Sequence, residues 1–377
     1  MRKVMTLVGT RPELIKMSRV IAELDVHTQH VLVHSGQNYD FELNEVFFSD
    51  LGIRRPDHFL GAADATAAKT ISEVISRTDD VLEQEQPEAL LLYGDTNTCL
   101  AVIAAKRRKV PVFHMEAGNR CFDERVPEEL NRKVVDHLSD INLVLSEHAR
   151  RYLIAEGIRP ETIIKTGSHL QEVLEYAMPR IHASDVLVRS GLEPGHFFIV
   201  SAHREETVDT PERLRELLRT LRAVVGEWKM PIIFSTHPRT RKRLDALGES
   251  VEDPLIRFVT PFGFNDYVKL QLESFCILSD SGSITEEASL LSLPAVTIRD
   301  AHERPEGMDV GTLVMCGLKQ EQVLDAIRVV TRQHDRSRRV IPVVPDYEAG
   351  PVSKQVVRVV LSYIDYVNRT VWRRGCD

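Results

Sequence analysis

Short apolar runs that suit β-strands alternate with segments of helical periodicity along nearly the whole chain, and this alternation predicts an α/β fold. The segment 12–24 is typical of the helices, since its apolar side chains recur every three or four positions. Two sets of runs have the composition of buried strands: 4–8, 31–34, 89–93, 110–115, 141–145 and 163–165, then 197–201, 232–235, 256–259, 275–279, 295–298 and 312–315.

Two sets of about six strands joined by helices predict two doubly wound parallel sheets, in two Rossmann-like domains facing a cleft. The 377 residues exceed what one core usually accommodates. Strand signals lapse over residues 166–190, so we place the domains at 1–170 and 171–352, followed by a last helix over 353–371. Ligands of such sheets bind beyond the carboxyl ends of the strands, and a cleft between domains is a common ligand site.

The composition favours a cytoplasmic protein that binds neither membranes nor nucleic acid. The formal net charge is −8, and the basic clusters are short and separate. No apolar run reaches the ~18 residues of a transmembrane helix, and no signal-peptide pattern is visible. The five cysteines include no C-x-x-C pair, which favours reduced thiols and gives no support for a metal site.

Residues capable of chemistry are concentrated just after the predicted strands. After the first strand, Gly9 and Pro12 make a tight turn into a helix, whose N-terminus favours an anion. Arg11 and Lys16 either add charge to such an anion site or are surface cations beside a plain turn. After the third strand, Asp95 could act as a base, bind a sugar hydroxyl or cap the next helix.

The stretch 114–132 crowds five acidic residues beside three arginines at one strand end. Proton transfer needs carboxylates held at fixed distances, which loops on a rigid sheet provide. Pro127 opens a helix whose dipole and i,i+4 ion pairs would account for Glu128 and Glu129 without any catalytic role. They do not account for Glu116, which directly follows a buried-type strand.

In the second half, His203 follows a strand beside Arg204 and two carboxylates, and His237 has the same placement after the next strand. Imidazole titrates near physiological pH, so a histidine in this setting is a candidate for catalysis. Arg299 and Arg304 follow a later strand, where they either clamp phosphates or belong to a charged surface loop.

The turn Ser281-Gly282-Ser283 lies between a predicted strand and a helix. Its backbone N–H groups and hydroxyls could hold a diphosphate without any lysine. Ser283 and Glu286 have the S-x-x-E spacing of a capping box, and both interpretations can hold, because a capped N-terminus still leaves donors free. Neither a P-loop nor the G-x-G-x-x-G fingerprint occurs, so a nicotinamide cofactor has no support in the sequence.

Together these motifs resemble the non-hydrolysing UDP-N-acetylglucosamine 2-epimerase family. GTRPELIK, GDT, HMEAG, PEELNR, a strand-end histidine, SDSGSITEE and RDAHERPE follow the family's order and spacing over roughly residues 1–350. The resemblance implies the glycosyltransferase-B-like fold, with the last helix packing back on the first domain. It also implies a homodimer, a UDP-sugar substrate and no added cofactor.

The activity implied by the resemblance is inversion at C2 of the sugar, for surface polysaccharide biosynthesis. UDP is eliminated to give a 2-acetamidoglycal, and it re-adds after the proton returns to the opposite face. Departure of UDP builds oxocarbenium character at C1, which acidifies the C2 hydrogen. Cations and helix N-termini stabilise the departing diphosphate, and carboxylates on the two sugar faces exchange the proton.

The resemblance also implies roles for individual residues. Asp95, Glu116 and Glu128 match the family's acidic catalytic residues, and His203 matches its catalytic histidine. The family's residues at the UDP and substrate site correspond in this chain to Arg11, Lys16, Tyr267, Ser281, Gly282, Ser283, Glu287 and Arg304. We add His237, because it follows a predicted strand as His203 does.

Among the binding positions, Ser281, Gly282 and Ser283 match the phosphate loop. Glu287 matches the ribose-binding glutamate, and Tyr267 matches an aromatic residue near the uracil.

The chain departs from the common family pattern at positions that line the sugar side or, in some members of the family, a second activating UDP-sugar site. EAGNRCFDERVPEE replaces the more usual EAGLRT…PEE, and AHREE replaces a motif with His-Arg-Arg-Glu. Ser283 stands where the family has Gly, and Phe262 where Gln is common. These departures resemble the subgroup that converts UDP-2-acetamido-2,6-dideoxy-L-talose into UDP-N-acetyl-L-fucosamine. They favour that substrate over UDP-N-acetylglucosamine.

Three other functions compete with an epimerase. A glycosyltransferase of the same fold would need an acceptor groove, and three strand-end acids argue against it. A hydrolysing relative, which releases free sugar and UDP, would use many of the same groups. A non-catalytic nucleotide-sugar sensor would not need Asp95, Glu116, Glu128 and His203 together.

Overall fold

The structure is a computed structural model that describes residues 1–36, 50–248 and 253–374. The chain divides into two compact units. Unit 1 comprises Met1–Tyr176 and Asp346–Asp377, and unit 2 comprises Ala177–Pro345. Unit 1 therefore combines the first part of the chain with its C-terminal segment.

Unit 1 contains a seven-stranded sheet in which every described pair of neighbouring strands is parallel. The strand order is β3-β2-β1-β4-β5-β6-β7, so the order reverses between β1 and β4. A crevice forms beyond the carboxyl ends of the strands at such a reversal. The strands are β1 (Lys3–Val8), β2 (Gln29–His34), β3 (His58–Phe59), β4 (Ala89–Tyr93), β5 (Val112–Ala117), β6 (Ile141–Val144) and β7 (Ile163–Lys165).

Helices follow most of these strands. The first, α1, begins after Thr10, has Pro12 in its first turn, and buries Leu14, Met17 and Val20 against the core. The helices of this part of the chain are α1 (Arg11–His27), α2 (Ala67–Glu85), α3 (Val102–Arg107), α4 (Pro127–Leu138), α5 (Glu147–Ala155) and α6 (Leu170–Ala183), and short 3-10 helices span Asn97–Ala101 and Pro160–Thr162.

Unit 2 contains a six-stranded sheet that is also parallel, in the order β10-β9-β8-β11-β12-β13. Its order reverses between β8 and β11. The strands are β8 (Phe198–Ser201), β9 (Ile232–Ser235), β10 (Ile256–Val259), β11 (Cys276–Ser279), β12 (Ala295–Thr297) and β13 (Val314–Met315). The helices are α7 (Val186–Ser190), α8 (Glu205–Val208), α9 (Pro211–Trp228), α10 (Pro238–Leu247), α11 (Phe264–Glu273), α12 (Ser283–Leu291), α13 (Pro305–Val310) and α14 (Gln320–Gln333).

The prediction of an α/β fold with two doubly wound parallel sheets is confirmed, and each predicted strand overlaps an observed one. The strand β3 was not predicted. It contributes only His58–Phe59 to the edge of the first sheet, and two residues are too few to show a strand pattern.

The C-terminal helix α15 (Val352–Thr370), which follows a 3-10 helix at Pro345–Tyr347, packs against α1 in unit 1. The backbone N–H of Ser353 donates to Glu172 Oε2 at 3.0 Å, and Arg2 Nη2 donates to Asp365 Oδ2 at 2.6 Å. Its apolar face is fully buried, with Ile364 at its centre. The last helix is therefore part of the core of unit 1.

Within the described residues, no helix combines the length and the apolar character that crossing a bilayer requires.

We expect Ile364→Ala to destabilise the protein, because the side chain is fully buried and its loss leaves a cavity. The free energy of unfolding should fall by about 2–5 kcal/mol. Urea denaturation followed by circular dichroism measures this loss. Lys354→Ala, at an exposed position of the same helix, is the matched control. Equal stabilities for the two variants would contradict the packing of α15.

Candidate active site

Glu116 lies at the carboxyl end of β5, in a backbone conformation that is rare for any residue but glycine. Its φ is +63°, and the β5–β6 register shifts between Met115 and Ala117. Such a left-handed residue costs about 1–3 kcal/mol, and bulges of this kind re-aim side chains beside functional sites. The Glu116 side chain points to α1, where Lys16 Nζ donates to Glu116 Oε2 at 3.0 Å.

The two cations predicted after β1 have different surroundings. Lys16 is buried and forms the ion pair with Glu116. Arg11 is the first residue of α1 and is half-buried. Lys16 thus contacts one of the candidate catalytic acids directly. Arg11 lies on the same helix as Lys16, at its N-terminus.

Arg132 on α4 organises the acids that follow β4 and β5. Its guanidinium donates from Nε to Asp95 Oδ2 and from Nη1 to Glu129 Oε2, both at 2.8 Å. Glu129 also accepts from the backbone N–H groups of Cys121 and Phe122, at 3.1 and 3.2 Å. Glu129 is therefore a buried anchor that joins the 118–126 loop to α4.

Burial acts against the charged form of Glu129, but the N–H of Cys121 and the charge of Arg132 outweigh it and lower the pKa of the carboxyl. Glu128, the candidate catalytic acid, lies in the same first turn of α4 and is half-buried. The predicted catalytic acids are thus placed by β4, β5 and α4, which are neighbours in one unit.

A buried ionic chain supports the loop after β5. His114 Nδ1 lies 2.9 Å from Asp136 Oδ1, and Arg120 Nη1 donates to Asp136 Oδ2 at 2.7 Å. Arg120 also forms a two-point pair with Glu156. Burial alone would raise the pKa of Asp136, but His114 and Arg120 lower it. Arg120 in the predicted motif is therefore a structural cation of the loop.

Glu13 is a buried acid of this region that the sequence reasoning missed. Its carboxylate accepts from the backbone N–H groups of Gly9 and Thr10, at 2.5 and 3.2 Å, and from Thr96 Oγ1 at 2.5 Å. Burial raises the pKa of Glu13 to about 7; these donors oppose the rise, and the negative charge of Asp95 adds to it. The T-x-x-E spacing of Thr10 and Glu13 was the available signal.

In unit 2, Asp280 orients His203 after β8. Asp280 Oδ2 accepts from the backbone N–H groups of His203 and Arg204, both at 2.9 Å, and Oδ1 lies 3.1 Å from His203 Nδ1. Burial opposes ionisation, but His203 and Arg204 hold the pKa of Asp280 down at about 2. The ring of His237, which caps α10, lies 5.5 Å from the ring of His203.

The Ser281-Gly282-Ser283 turn leads directly into α12, which is nine residues long. The two hydroxyls lie 3.0 Å apart. A Cβ on Gly282 would come within 2.1 Å of Glu303 Oε1, so any larger residue there would displace the Glu303 carboxylate. The turn therefore presents a helix N-terminus and hydroxyls at the point where the strand order of unit 2 reverses.

The prediction of a capping box at this turn is wrong. The helix begins at Ser283, so Ser283 is its first residue and Gly282 occupies the cap position. Glu286 is fully buried, and its Oε2 lies 3.4 Å from Arg304 Nη2. The carboxylate thus pairs with an arginine of the next loop.

Arginines and carboxylates alternate around this turn. Arg299 Nη1 donates to Glu303 Oε2 at 2.6 Å, and Arg204 Nη2 lies 3.4 Å from Glu303 Oε1. Arg299 and Arg304 are both nearly fully buried, so the alternative of a charged surface loop is wrong for these two side chains. Arg204, Arg299 and Arg304 therefore lie near the N-terminus of α12 together with the carboxylates that pair with them.

The two positions predicted to bind the nucleoside lie on neighbouring helices. Glu287 on α12 accepts from Gln271 Nε2 on α11 at 2.6 Å. Tyr267 lies one turn before Gln271 on α11 and is half-buried. Glu287 and Tyr267 therefore belong to adjoining surfaces of unit 2.

The sequence pattern of the UDP-N-acetylglucosamine 2-epimerase family matches residues 22–361. The chain belongs to this family. A solved UDP-N-acetylglucosamine 2-epimerase from Rickettsia bellii is 58% identical over 99% of this chain and 100% of that one, with a TM-score of 0.94.

Two further relatives differ in their sugars. Methanocaldococcus jannaschii UDP-GlcNAc 2-epimerase, solved in complex with UDP-GlcNAc and UDP, is 29% identical over 96% of this chain and 99% of that one, with a TM-score of 0.88. The UDP-2,3-diacetamido-2,3-dideoxy-D-glucuronate 2-epimerase of Pseudomonas aeruginosa is 32% identical over 333 residues, which are 86% of this chain and 91% of the relative.

Membership of the family confirms three predictions: the glycosyltransferase-B-like fold class, an isomerase, and a UDP-sugar 2-epimerase activity with a UDP-sugar as substrate. Arg132, Glu13 and Asp280 extend the candidate site beyond the predicted residues, because they hold Asp95, the turn after β1 and His203 in place.

We expect Glu13→Gln to remove one component of the pH dependence of stability. The folded-state pKa of about 7 lies above the ordinary 4.5. The stabilisation from the bound proton is therefore complete below pH 4.5 and is lost as the pH rises through 7. The loss is on the order of 3 kcal/mol at most.

The measurement is the free energy of unfolding in urea for both proteins at about pH 4.5 and about pH 7.5. The native protein should lose stability relative to Glu13→Gln as the pH is raised from about 4.5 to about 7.5. His34, whose pKa burial lowers to about 4, titrates in the same range, but it is common to both proteins and cancels. A pH-independent difference would show that Glu13 is not the titrating group.

Proposed function

We propose that the protein converts UDP-2-acetamido-2,6-dideoxy-L-talose into UDP-N-acetyl-L-fucosamine by inversion at C2. The observation that carries the chemical part is the pair of acids at the carboxyl ends of the adjacent strands β4 and β5. Glu116 is turned toward Lys16 by the bulge in β5, and Asp95, just after β4, is held by Arg132. Carboxylates held in fixed positions by neighbouring cations can exchange a proton with a bound substrate.

The reaction proceeds in two halves. In the first, the C1–O bond to UDP breaks, the C2 proton passes to a carboxylate, and a C1–C2 double bond forms. In the second, a proton is added to C2 from the opposite face and the UDP oxygen attacks C1. Asp95, Glu116 and Glu128 of unit 1 are assigned the proton exchange.

We assign binding of the UDP part of the substrate to unit 2. The Ser281–Ser283 turn, Arg304 and His203 stabilise the charge that develops on the departing diphosphate, since helix N-termini and buried cations act most strongly where water is excluded. Glu287 binds the ribose and Tyr267 packs near the uracil. Arg11 and His237 add polar contacts to the ligand.

The L-talo sugar is supported by the surroundings of the residues that depart from the common family pattern. In EAGNRCFDERVPEE, Cys121 stands where the family has Thr, and its Sγ lies 3.6 Å from Nη1 of Arg132, the arginine that holds Asp95. In AHREE, Glu205 stands where the family has a second Arg, and its Oε1 lies 2.7 Å from Arg239 Nη1. Cys121 thus lies among the groups around Asp95, which is assigned to the proton exchange at the sugar.

The main alternative is a UDP-N-acetylglucosamine 2-epimerase, which makes UDP-N-acetylmannosamine. It is favoured by the names of the Rickettsia bellii and Methanocaldococcus jannaschii relatives. A glycosyltransferase of the same fold is the second alternative, and it would transfer the sugar to an acceptor without exchanging the C2 hydrogen.

Incubation in D2O with each UDP-sugar, followed by proton NMR of the C2–H signal, distinguishes these functions. We expect loss of the signal and formation of product with UDP-2-acetamido-2,6-dideoxy-L-talose. Turnover of UDP-N-acetylglucosamine alone would assign the protein to the alternative epimerase.

We expect Glu116→Gln to abolish exchange of the C2 hydrogen while UDP still binds. The control Glu124→Gln removes an exposed acid of the same loop and should leave the exchange unchanged.

We expect Arg304→Ala to weaken UDP binding about 10- to 100-fold, because it removes buried hydrogen bonds to a charged ligand. Isothermal titration with UDP measures the change, and Arg304→Lys should recover part of it. Arg338→Ala removes an exposed arginine that pairs with Asp335 and is the matched control. An unchanged dissociation constant in folded Arg304→Ala would exclude Arg304 from the UDP site.

A further inference from the structure

Tyr93 is the last residue of β4, and its side chain is almost completely buried at the carboxyl end of the first sheet. It pairs in register with Met115, the residue before Glu116. The position is therefore next to the bulge of β5, although no part of the predicted chemistry uses it.

The Tyr93 hydroxyl donates a hydrogen bond to Glu116 Oε2. The same oxygen accepts from Lys16 Nζ at 3.0 Å. Two donors, one charged and one neutral, thus converge on a single carboxylate oxygen. A carboxylate with two fixed donors on one oxygen is restricted in rotation, and its anion is stabilised.

The tyrosine itself is held from several directions. Its ring meets the buried His169 edge-on, with centroids 5.2 Å apart and planes at 83°, and Lys16 Nζ lies 5.9 Å from its centroid. Its carbonyl oxygen accepts from Cys99 Sγ at 2.9 Å. The hydroxyl is therefore presented to Glu116 by a rigid support, which a positioning group requires.

We propose that Tyr93 is a positioning residue that holds the Glu116 carboxylate in the orientation needed for proton exchange at C2. The inference rests on the proposed function, since it deepens the role that Glu116 has in that reaction. Lys16 compensates the negative charge of the Glu116 carboxylate, and Tyr93 fixes the orientation of that carboxylate. The left-handed backbone of Glu116 sets the direction in which its side chain leaves the strand, and the Tyr93 hydroxyl fixes the position of the carboxylate.

The test is Tyr93→Phe, which keeps the ring and its packing against His169 but removes the hydroxyl. Loss of one hydrogen bond to a charged group should lower kcat for C2 exchange by about 10- to 100-fold. KM should change by less than about three-fold, because the tyrosine acts through Glu116 on the reacting proton and not on substrate binding. The acid limb of the pH profile should move to higher pH, because the anion loses a donor.

Tyr363→Phe, on the C-terminal helix, is the matched control and should leave kcat and the pH profile unchanged. Thermal unfolding checks that Tyr93→Phe is folded. If the folded variant has the native kcat and the native pH profile while the native protein exchanges C2–H, Tyr93 has no positioning role and the proposed function stands. If KM rises and kcat is kept, Tyr93 acts in binding and the proposal is overturned. Absence of exchange in the native protein with both UDP-sugars would overturn the proposed function and this inference together.

Discussion

Compensation of buried negative charge is the constraint on which the arrangement of unit 1 depends. A buried carboxylate without a partner is strongly destabilising, so each acid that the strands bring to this edge of the sheet requires a cation or hydrogen-bond donors. Arg132 meets this need for Asp95 and Glu129 together, and Lys16 meets it for Glu116. The positions of α4 and α1 on the sheet are thereby linked to the positions of the candidate catalytic acids.

The kind of partner decides the protonation behaviour of each acid. Glu13 accepts hydrogen bonds from neutral donors and has a negative neighbour in Asp95, and its pKa rises to about 7. Asp280 has His203, the charge of Arg204 and backbone N–H groups, and its pKa falls to about 2 although it is just as buried. Burial alone therefore does not predict the charge state, and the sign of the neighbouring groups does.

The strands were predictable from the sequence because strands of a parallel sheet are buried on both faces and read as continuous apolar runs. The positions of Asp95 and Glu116 were predictable for the same reason, since a polar residue that ends such a run must lie at the sheet edge. The partners were not predictable: Thr96 reaches Glu13 across 83 positions, and Asp280 reaches His203 across 77. Local spacing can also mislead, as it did at Ser283, where a tertiary partner for Glu286 replaces the capping box.

Inversion at C2 requires that one face of the sugar lose a proton and the other gain one, so a set of acids with identical environments would serve it poorly. Unit 1 contains acids whose environments differ in kind. Glu116 is set by a charged and a neutral donor on one oxygen, whereas Asp95 shares its arginine with Glu129 and lies near the proton-binding Glu13. The charge of Asp95 is one of the causes that raise the pKa of Glu13, so these two carboxyl groups interact.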